Sequence, residues 1–200
     1  MVNGLFATTL LLALQGAAGT STEPLPQELL ALRETLQRTE KLSARFTQTR
    51  HLAALRDALV TEGTLEYQKG GRLVWRTLPP AASELVLDGQ HATISYPGMG
   101  AAQSVDFSSD PGMGRVFETI RAVLQADLDR LLPLFTLTVE RKEPLSVSLS
   151  PRSEELGRTL RRIRLEFDRS LRLVRVVLTE PDGDSTEISF RAHNVQTATR

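Results

Sequence analysis

Apolar and polar residues alternate in four consecutive stretches of the chain between Gly63 and Tyr96. This period of two is typical of β-strands that have one covered face and one solvent-exposed face. Gly70-Gly71, Pro79-Pro80 and Asp88-Gly89 separate the stretches, and such pairs form tight turns or interrupt a hydrogen-bond ladder. The pattern therefore predicts a meander of four antiparallel strands. Its covered face is expected to carry Leu65, Tyr67, Leu73, Trp75, Leu85, Leu87, Ile94 and Tyr96.

Two other segments repeat their apolar residues every three or four positions, which is typical of amphipathic helices. The first follows Pro24 and Pro26, and its apolar side carries Leu25, Leu29, Leu32 and Leu36. The second runs from Met113 to Leu132 and is expected to end before Pro133, because proline cannot continue a helix. Its apolar stripe includes Val116, Phe117, Ile120, Val123 and Leu124. Since no partner helix lies nearby in sequence, this stripe is expected to cover a sheet face.

The remaining strands are indicated by the same alternation before and after the meander. Leu42 to Gln48 predicts a strand with Phe46 on its covered face, whereas His51 to Val60 fits either a loop or a continued strand. After Pro133 the alternating apolar positions are Phe135, Leu137, Val139, Leu145, Val147, Leu149, Ile163, Leu165, Phe167, Leu171, Leu173, Ile188 and Phe190. From Leu173 to Leu178 the apolar face shifts by one residue, which indicates a β-bulge or a strand buried on both sides.

These elements together predict one α+β domain that consists mainly of β-structure and spans residues 19–200. Ten or eleven strands, nearly all antiparallel, are expected in one sheet, and two helices are too few to cover both faces of so long a sheet. The sheet is therefore expected to curl into an unclosed β-barrel around an apolar cavity, with the two helices covering the opening. Apolar cavities of this kind hold lipids or other apolar ligands.

Composition and charge exclude several classes of function. Lys and Arg together number 24, as do Asp and Glu, so no net charge favours binding to nucleic acid or to an anionic membrane. The chain has no cysteine, which excludes disulfides, thiol catalysis, cysteine-ligated metals and a lipid-modified N-terminal cysteine. We therefore expect no nucleic-acid partner.

No constellation of residues in the sequence predicts catalysis or metal binding. His51, His91 and His193 lie far apart and lack carboxylate neighbours at the spacing of metal ligands. The sequence contains neither a nucleophile elbow nor a phosphate-binding glycine loop. Asp127 and Asp129 lie two positions apart on a predicted helix, so they face different directions and are interpreted as solvated charges. We therefore predict no enzyme activity, no metal and no cofactor.

The first residues have the pattern of an export signal. Leu5 to Leu14 is an apolar run too short to span a bilayer, and the small residues Gly16 to Gly19 follow it. This pattern predicts a signal peptide over residues 1–18, cleaved after about Ala18, and a soluble protein in the periplasm. Neither Lys nor Arg precedes the apolar run, so a retained anchor is the alternative.

Five short motifs follow one another along the chain: Phe46-Thr47-Gln48, Gly63 to Tyr67, Arg72 to Trp75, Pro79-Pro80 and Leu85 to Gly89. In this order and spacing they resemble the periplasmic outer-membrane lipoprotein carrier family, LolA, and the similarity covers nearly the whole predicted domain. The resemblance implies an unclosed barrel with a helical lid, the helix that starts at Met113. Phe46 and the covered face of the meander would then line the cavity. The family also implies acylated cargo, an inner-membrane transporter and an outer-membrane receptor, and we expect a monomer.

The chain departs from the family pattern at the turn before Trp75. Carriers of the family usually have Lys-Arg-Pro there, and the arginine is thought to hold the lid shut, whereas this chain has Lys69-Gly70-Gly71. A latch is therefore either missing or moved to Lys69 or Arg72. The chain also ends at Arg200 without the C-terminal extension usual in the family, and both departures favour a specialised member.

The sequence thus predicts a carrier that binds the acyl chains of a lipoprotein or lipid and moves them from the inner to the outer membrane. It leaves the cargo open, with lipoprotein acyl chains, a glycolipid and a polyene ester as the choices. A lipid-sensing domain that regulates a partner would use the same cavity, and only transfer between two membranes distinguishes it from a carrier. A lipid-ester hydrolase is a more distant alternative.

Overall fold

The computed structural model describes residues 25–89, 91–98, 100, 102–106, 121–122 and 127–198. The helices in these ranges are α1 (Gln27–Gln37), α2 (Leu128–Leu131) and α3 (Glu154–Gly157), and Arg121 and Ala122 are helical as well. The strands are β1 (Thr39–His51), β2 (Leu59–Gln68), β3 (Arg72–Thr77), β4 (Ser83–Asp88), β5 (His91–Ser95), β6 (Gln103–Asp106), β7 (Phe135–Lys142), β8 (Leu145–Pro151), β9 (Arg162–Phe167), β10 (Leu173–Thr179) and β11 (Ser185–Thr197).

All eleven strands form one antiparallel sheet in the order β6-β5-β4-β3-β2-β1-β11-β10-β9-β8-β7. The strands β1 to β6 pair in chain order, and so do β7 to β11. The pair β1–β11 joins the two runs. Within the described ranges β6 and β7 lie at opposite edges of the sheet, so the barrel is not closed. The predicted fold class, an unclosed antiparallel barrel of mainly β-structure, is therefore confirmed.

The meander from β2 to β5 pairs as the alternation predicts. Side chains in one cross-strand row share a face of the sheet, and two such rows follow one another here. The rows are Leu65, Trp75, Leu85 and Ile94, and then Tyr67, Leu73, Leu87 and Ala92. The register does not shift along these three pairs of strands. We call this part of the sheet the regular wall.

The core beneath the regular wall is centred on Phe46, which is fully buried. Its ring stacks on Trp75 with 3.9 Å between the ring centroids and 27° between the planes, and Phe190 meets Trp75 edge-on at 6.3 Å. Phe46 pairs with Gly63 across β1 and β2, and a Cβ at Gly63 would lie only 2.3 Å from the Phe46 ring. Glycine at this position therefore leaves the space that the ring occupies.

Helix α1 confirms the first predicted amphipathic stripe. Pro26 precedes the first helical residue, where the missing N–H of a proline costs no hydrogen bond. Leu29 and Leu32 are buried, and Glu28 forms a 2.6 Å ion pair with Lys142 at the end of β7. The helix therefore begins beside the β7–β8 turn and leads directly into β1. No helix among the described residues has the length and apolar content needed to cross a bilayer.

The second predicted helix is interrupted where it is described. Asp127 is extended, with φ −71° and ψ 93°, and its side chain accepts a hydrogen bond from the backbone N–H of Arg130. An aspartate in this position caps a new helix, so α2 begins at Leu128 rather than continuing an earlier turn. The predicted lid residues Val116, Phe117, Ile120, Val123 and Leu124 lie outside the described residues, as does the predicted signal peptide.

The ambiguous segment from His51 to Val60 contains both predicted alternatives. Strand β1 continues to His51, a loop follows, and β2 begins at Leu59. In β10 the predicted irregularity is a β-bulge, because the pairing with β9 shifts between Leu173 and Arg175. Because of that shift, Leu173 before the bulge and Val176 after it lie on the same face of the sheet.

Strand β11 contains a second bulge, which the alternation does not indicate. Two of its residues, Ala192 and His193, lie opposite the single residue Ala44 of β1. Ala192 has φ of 54°, a left-handed conformation that is uncommon for residues other than glycine. The extra residue reverses the alternation, so Phe190 faces the core before the bulge and Val195 faces inward after it.

Candidate functional site

A cavity of about 480 Å³ opens at the end of the sheet that carries the β2–β3 and β9–β10 turns. It lies between α1, α2, the start of β1 and the end of β11. Its apolar lining consists of Leu36, Leu42, Leu65, Leu73, Leu128, Leu171, Leu173 and Val195. The charged and titratable residues of its lining are Arg33, Tyr67, Lys69, Asp127, Asp129, Arg172 and His193. The cavity thus has an apolar wall and a polar rim.

One wall of the cavity lies where β10 and β11 separate. Their ladder joins Arg175–Thr179 to Ser185–Ser189 and goes no further, although β11 continues to Thr197. The bulge of each strand lies just beyond the last pair. Across the gap, Nε2 of His193 donates a hydrogen bond to the carbonyl oxygen of Leu173 at 2.8 Å. The bulges therefore open the sheet at this point, and we call it the bulged wall.

Ion pairs on the rim join the helices to each other and to the sheet. Arg33 of α1 pairs with Asp129 of α2 at 2.8 Å. Lys69, in the β2–β3 turn, pairs with Glu40 at 2.7 Å, and its Nζ also donates a hydrogen bond to the carbonyl oxygen of Gln37 at 3.2 Å. These side chains are exposed, so each pair contributes only about 0–1 kcal/mol to stability.

Tyr67 lies where the apolar wall meets the rim. Burial raises the pKa of its phenol, and the positive charges of Lys69 and Arg121 act in the opposite direction. Because the net shift is upward from an ordinary value near 10, the hydroxyl is neutral at physiological pH. Tyr67 therefore offers the cavity an apolar ring and an uncharged hydroxyl group.

Asp168 fixes the β9–β10 turn beside the cavity. Its Oδ1 accepts hydrogen bonds from the backbone N–H groups of Ser170 at 2.8 Å and Arg172 at 3.0 Å, and its Oδ2 accepts one from Nε of Arg172 at 2.7 Å. Burial alone would raise the pKa of Asp168, but these hydrogen bonds and the charge of Arg172 bring the pKa below its usual value. Leu171, within the turn, has φ of 57° and lines the cavity.

Three of the nine residues predicted for the cavity wall line this cavity, namely Leu65, Tyr67 and Leu73. The other six are placed in the core, against it, or just after β5. Phe46, Trp75 and Leu87 are buried, Leu85 and Ile94 are partly buried, and Tyr96 is half-buried beyond the end of its strand. For all nine residues a contact with ligand stays a prediction.

The two predicted latch residues lie in different surroundings. Lys69 lines the cavity and reaches the end of α1 through Gln37. Arg72 pairs with Asp88 at 2.7 Å on the exposed side of β3 and β4. A latching role for either residue stays a prediction. A cation that the sequence does not single out, Arg121, lies beside the same turn, where a Cβ at Gly71 would be 2.8 Å from its Nη1.

Much of the cavity lining comes from residues that the sequence does not single out. The lining residues of α1 and α2 have the sequence pattern of ordinary core or surface positions of a helix. Leu173 follows the shifted face in β10, and that shift is the signal that could have placed it beside an opening. No such signal marks His193 and Val195. Both lie an odd number of positions after Phe190, so a regular strand would place them on the face opposite to Phe190.

Three carboxylates gather at the opposite end of the sheet, in and beside the β10–β11 turn. Oxygens of Glu180, Asp182 and Asp184 lie within 4.8 Å of one another. Burial raises the pKa of Glu180, the charge of Arg50 opposes this, and the two aspartates add to it. Nη2 of Arg50 is 3.7 Å from both Glu180 and Asp184, and Asp184 accepts a hydrogen bond from the backbone N–H of Ala53 at 2.8 Å. We interpret the cluster as support for the β1–β2 loop.

An apolar cavity with a polar rim in an unclosed antiparallel sheet suits an apolar or amphipathic ligand. The family model described as Outer membrane lipoprotein carrier protein LolA matches residues 37–200. The chain therefore belongs to the LolA family. At the level of that family it is a carrier that binds lipid or lipoprotein.

Several solved structures are similar to this chain. One is a putative outer membrane lipoprotein-sorting protein domain from Vibrio parahaemolyticus, with 11% identity, 87% of this chain and 93% of that chain covered, and a TM-score of 0.45. The lipoprotein LppX of Mycobacterium tuberculosis shares 10% identity over 84% of this chain and 93% of that chain, with a TM-score of 0.46. A chain of the MucA/MucB complex of Pseudomonas aeruginosa shares 16% identity over 86% of this chain and 57% of that chain, with a TM-score of 0.46. No curated protein matches significantly.

Proposed function

We propose that the chain is a periplasmic carrier that holds acyl chains of a lipoprotein or lipid in this cavity and moves them from the inner to the outer membrane. Membership of the LolA family supports the carrier class. An inner-membrane transporter would load the protein, and an outer-membrane receptor would accept its cargo. The cavity volume of about 480 Å³ is within the range of ~300–1,000 Å³ that is typical of pockets for small molecules.

The observation that carries this proposal is the division of the cavity into an apolar wall and a charged rim. Leu42, Leu73 and Val195 offer an acyl chain only hydrocarbon contacts. Arg33 and Asp129 lie on the rim and remain exposed to solvent. An amphipathic molecule therefore fits with its chain inside and its polar group at the opening.

The rim also allows the cargo to leave. An acyl chain of about 16 carbons would gain roughly 12 kcal/mol if each methylene contributed ~0.8 kcal/mol, and such a gain corresponds to nanomolar affinity. A carrier needs an opening that widens at low cost, so that a receptor can compete for the chain. Exposed ion pairs such as Arg33–Asp129 meet this need because each contributes only about 0–1 kcal/mol.

The proposal is tested by placing a charge in the cavity wall. We expect Val195→Asp to weaken the binding of a fluorescent palmitic acid analogue at least tenfold, or about 1.4 kcal/mol, because a carboxylate would replace a hydrocarbon contact. Val60→Asp is the matched control, since Val60 is a strand valine that is 60% exposed and lies at the other end of the sheet. Fluorescence titration measures both affinities.

Equal affinities for the two variants would contradict the assignment of the cavity as the acyl site. The carrier role needs a second measurement, which is transfer of acylated cargo from inner-membrane vesicles to outer-membrane vesicles. We expect the protein to speed this transfer, and Val195→Asp to reduce the effect. Binding without transfer would contradict a carrier and favour a lipid-sensing domain.

We also propose that residues 1–18 direct export and are removed. The short apolar run and the small residues that follow it support this. Intact-mass measurement of the protein recovered from the periplasm tests the proposal. A mature chain that starts near Gly19 is expected, and a mass that includes Met1 to Ala18 would contradict it.

A further inference from the structure

Strand β11 extends beyond the strand that pairs with its second edge. Its ladder with β10 ends at Ser189, although β11 continues to Thr197. If the register of this ladder continued, Leu171 would lie opposite His193, and Leu171 already belongs to the β9–β10 turn. The β9–β10 hairpin is therefore too short to cover the end of β11. Within the described part of the chain, residues 194–197 pair with β1 on one side and with no strand on the other.

The backbone groups of this segment point alternately towards β1 and away from it. The N–H of Ala198 points towards β1, because it donates a hydrogen bond to the carbonyl oxygen of Arg38 at 2.9 Å. By alternation, the N–H and C=O groups of Thr197 and Val195 point to the side that no described strand occupies. We call this side of residues 194–197 the free edge.

The free edge runs along the cavity from its apolar wall to its rim. Val195 and Thr197 both line the cavity, and Val195 is half-buried whereas Thr197 is exposed. At the inner end of the edge, Nε2 of His193 donates a hydrogen bond to the carbonyl oxygen of Leu173 at 2.8 Å. A ligand with an acyl chain in the cavity therefore has its next groups beside the backbone donors and acceptors of the free edge.

The free edge lacks the features that protect the two outermost strands of the described sheet. Exposed strand edges are usually very short, charged, bulged or interrupted by proline, because they otherwise pair with other chains. Strand β6 has only four residues, and β7 ends in Glu140-Arg141-Lys142 and contains a bulge after Val139. Residues 194–197 are Asn-Val-Gln-Thr, with neither a charge nor a proline. This edge is therefore suited to pairing with another extended backbone.

We propose that the free edge pairs with the main chain of an acylated peptide, whose first residues after the acyl group add to β11 as a short strand. The inference rests on the proposed function for the acyl chain in the cavity. On each side, an extended peptide presents an N–H and a C=O at every second residue, roughly 6.8 Å apart, and this spacing matches Val195 and Thr197. An acyl chain or a polyene has no such groups. Because the edge contacts only the main chain, it accepts peptides of different sequence.

The pairing is tested with palmitoylated hexapeptides that differ only in backbone methylation. Only alternate residues of an added strand turn their N–H groups towards β11. Methylation of the second and fourth amides, or of the third and fifth, gives two isomers, and only one of them loses hydrogen bonds to the free edge. We expect that isomer to compete with the fluorescent palmitic acid analogue at least about fivefold more weakly than the unmethylated peptide, and the other isomer within about twofold of it.

Equal competition by all three peptides would overturn the pairing. An equal loss for both methylated isomers would overturn it as well, because methylation would then act without regard to the direction of the N–H groups. If the palmitic acid analogue binds and either of these results is obtained, the pairing fails while the proposed function stands. If the analogue does not bind, both fail.

The position of the added strand is tested by amide hydrogen exchange, measured by NMR on the wild-type protein. We expect the unmethylated peptide to slow the exchange of Val195 and Thr197 at least about tenfold, whereas Asn194 and Gln196, which face β1, should change less. Unchanged exchange at Val195 and Thr197, or equal protection by the palmitic acid analogue alone, would overturn the site. Protection that appears without ligand and grows with protein concentration would indicate pairing between two copies, and would also overturn it.

A single donor of the free edge can be removed by Thr197→Pro. Proline lacks the N–H group and is tolerated at strand edges, and Thr197→Ala is the matched control because alanine keeps the N–H. We expect the proline variant to bind the palmitoylated peptide at least about threefold more weakly than the alanine variant does. Equal affinities for the two variants would overturn the assignment of this donor.

Discussion

The regular wall of β2 to β5 and the bulged wall of β10 and β11 belong to one sheet, yet they differ in construction. In the regular wall every described pair from Gly63 to Ser95 stays in register. In the bulged wall the ladder stops at Arg175 and Ser189, and the two strands separate. The first wall covers a close-packed core around Phe46 and reaches the cavity at Leu65, Tyr67 and Leu73, whereas the second borders the cavity where its strands separate.

This difference shows that the position of the cavity does not follow from the apolar content of a strand. Leu85 and Leu173 both belong to strands with alternating apolar residues, and only Leu173 lines the cavity. Side chains of neighbouring strands interdigitate where the ladder is continuous, and they leave little volume unfilled. Beyond a bulge the next strand is displaced, so the same kind of side chain faces open space.

The largest effect that separates the two walls is expected for Trp75→Ala. Trp75 is 9% exposed and stacks on Phe46, so its removal should lower the free energy of unfolding by about 3–5 kcal/mol. Because Trp75 is the only tryptophan, urea unfolding is followed by circular dichroism. Leu173→Ala in the bulged wall is the control, and its loss should be smaller because Leu173 is only partly buried.

A loss below about 1 kcal/mol for Trp75→Ala would contradict the close-packed core beneath the regular wall. Combined with weaker acyl binding, such a result would instead place Trp75 at the ligand. The regular wall, and not the bulged wall, would then provide the main ligand contacts.

An intermediate effect is expected when the bulge in β11 is removed. Deleting Ala192 removes the extra residue, so β11 becomes regular with Val195 still opposite Leu42, and β11 can approach β10 and narrow the cavity. We expect the affinity for the palmitic acid analogue to fall at least tenfold, which corresponds to about 1.4 kcal/mol. Fluorescence titration of the purified variant measures this.

Ala192→Gly is the control for that deletion. It keeps the residue count, and glycine adopts the observed φ of 54° without steric cost, so the bulge should persist and binding should remain close to wild type. Unchanged binding after the deletion would show that the bulge does not form the cavity wall.

The smallest expected effect is a pH dependence of the β9–β10 turn. The pKa of Asp168 is below its unfolded value, so its contribution to stability is present above about pH 4 and is lost as the pH falls through the folded-state pKa. In Asp168→Asn this part of the acid sensitivity should be missing. Urea unfolding of both proteins between neutral pH and pH 3 measures the difference, and parallel pH profiles would contradict it.

The regular wall could be predicted from the sequence because every second residue of a regular strand faces the same side. Once Leu65 faces inward, Tyr67 does too, and Gly70-Gly71 carries the alternation to Leu73 and Trp75. Each turn in this region has the residues that a tight turn demands, so no strand boundary depends on distant contacts.

The bulged wall could be predicted only in part, for a physical reason. The shift in β10 is visible because Val174 and Val176 are both apolar, and their run breaks the alternation. The shift in β11 is hidden because Ala192 is small and His193 is polar, so either residue suits either face. Likewise, the capping role of Asp127 depends on a local backbone geometry that an apolar stripe does not record.

The pairing of β1 with β11 has a consequence for the order of folding. These two strands are far apart in the chain, yet they are the longest in the sheet and lie side by side at its centre. Ladders between distant segments form slowly, because a long loop must close before any contact rewards it. Strand β1 can pair with β2 soon after synthesis, but its other edge stays unpaired until β11 has been made. During that interval the nascent chain presents an open strand edge to its neighbours, which makes the last step of folding the one most exposed to aggregation.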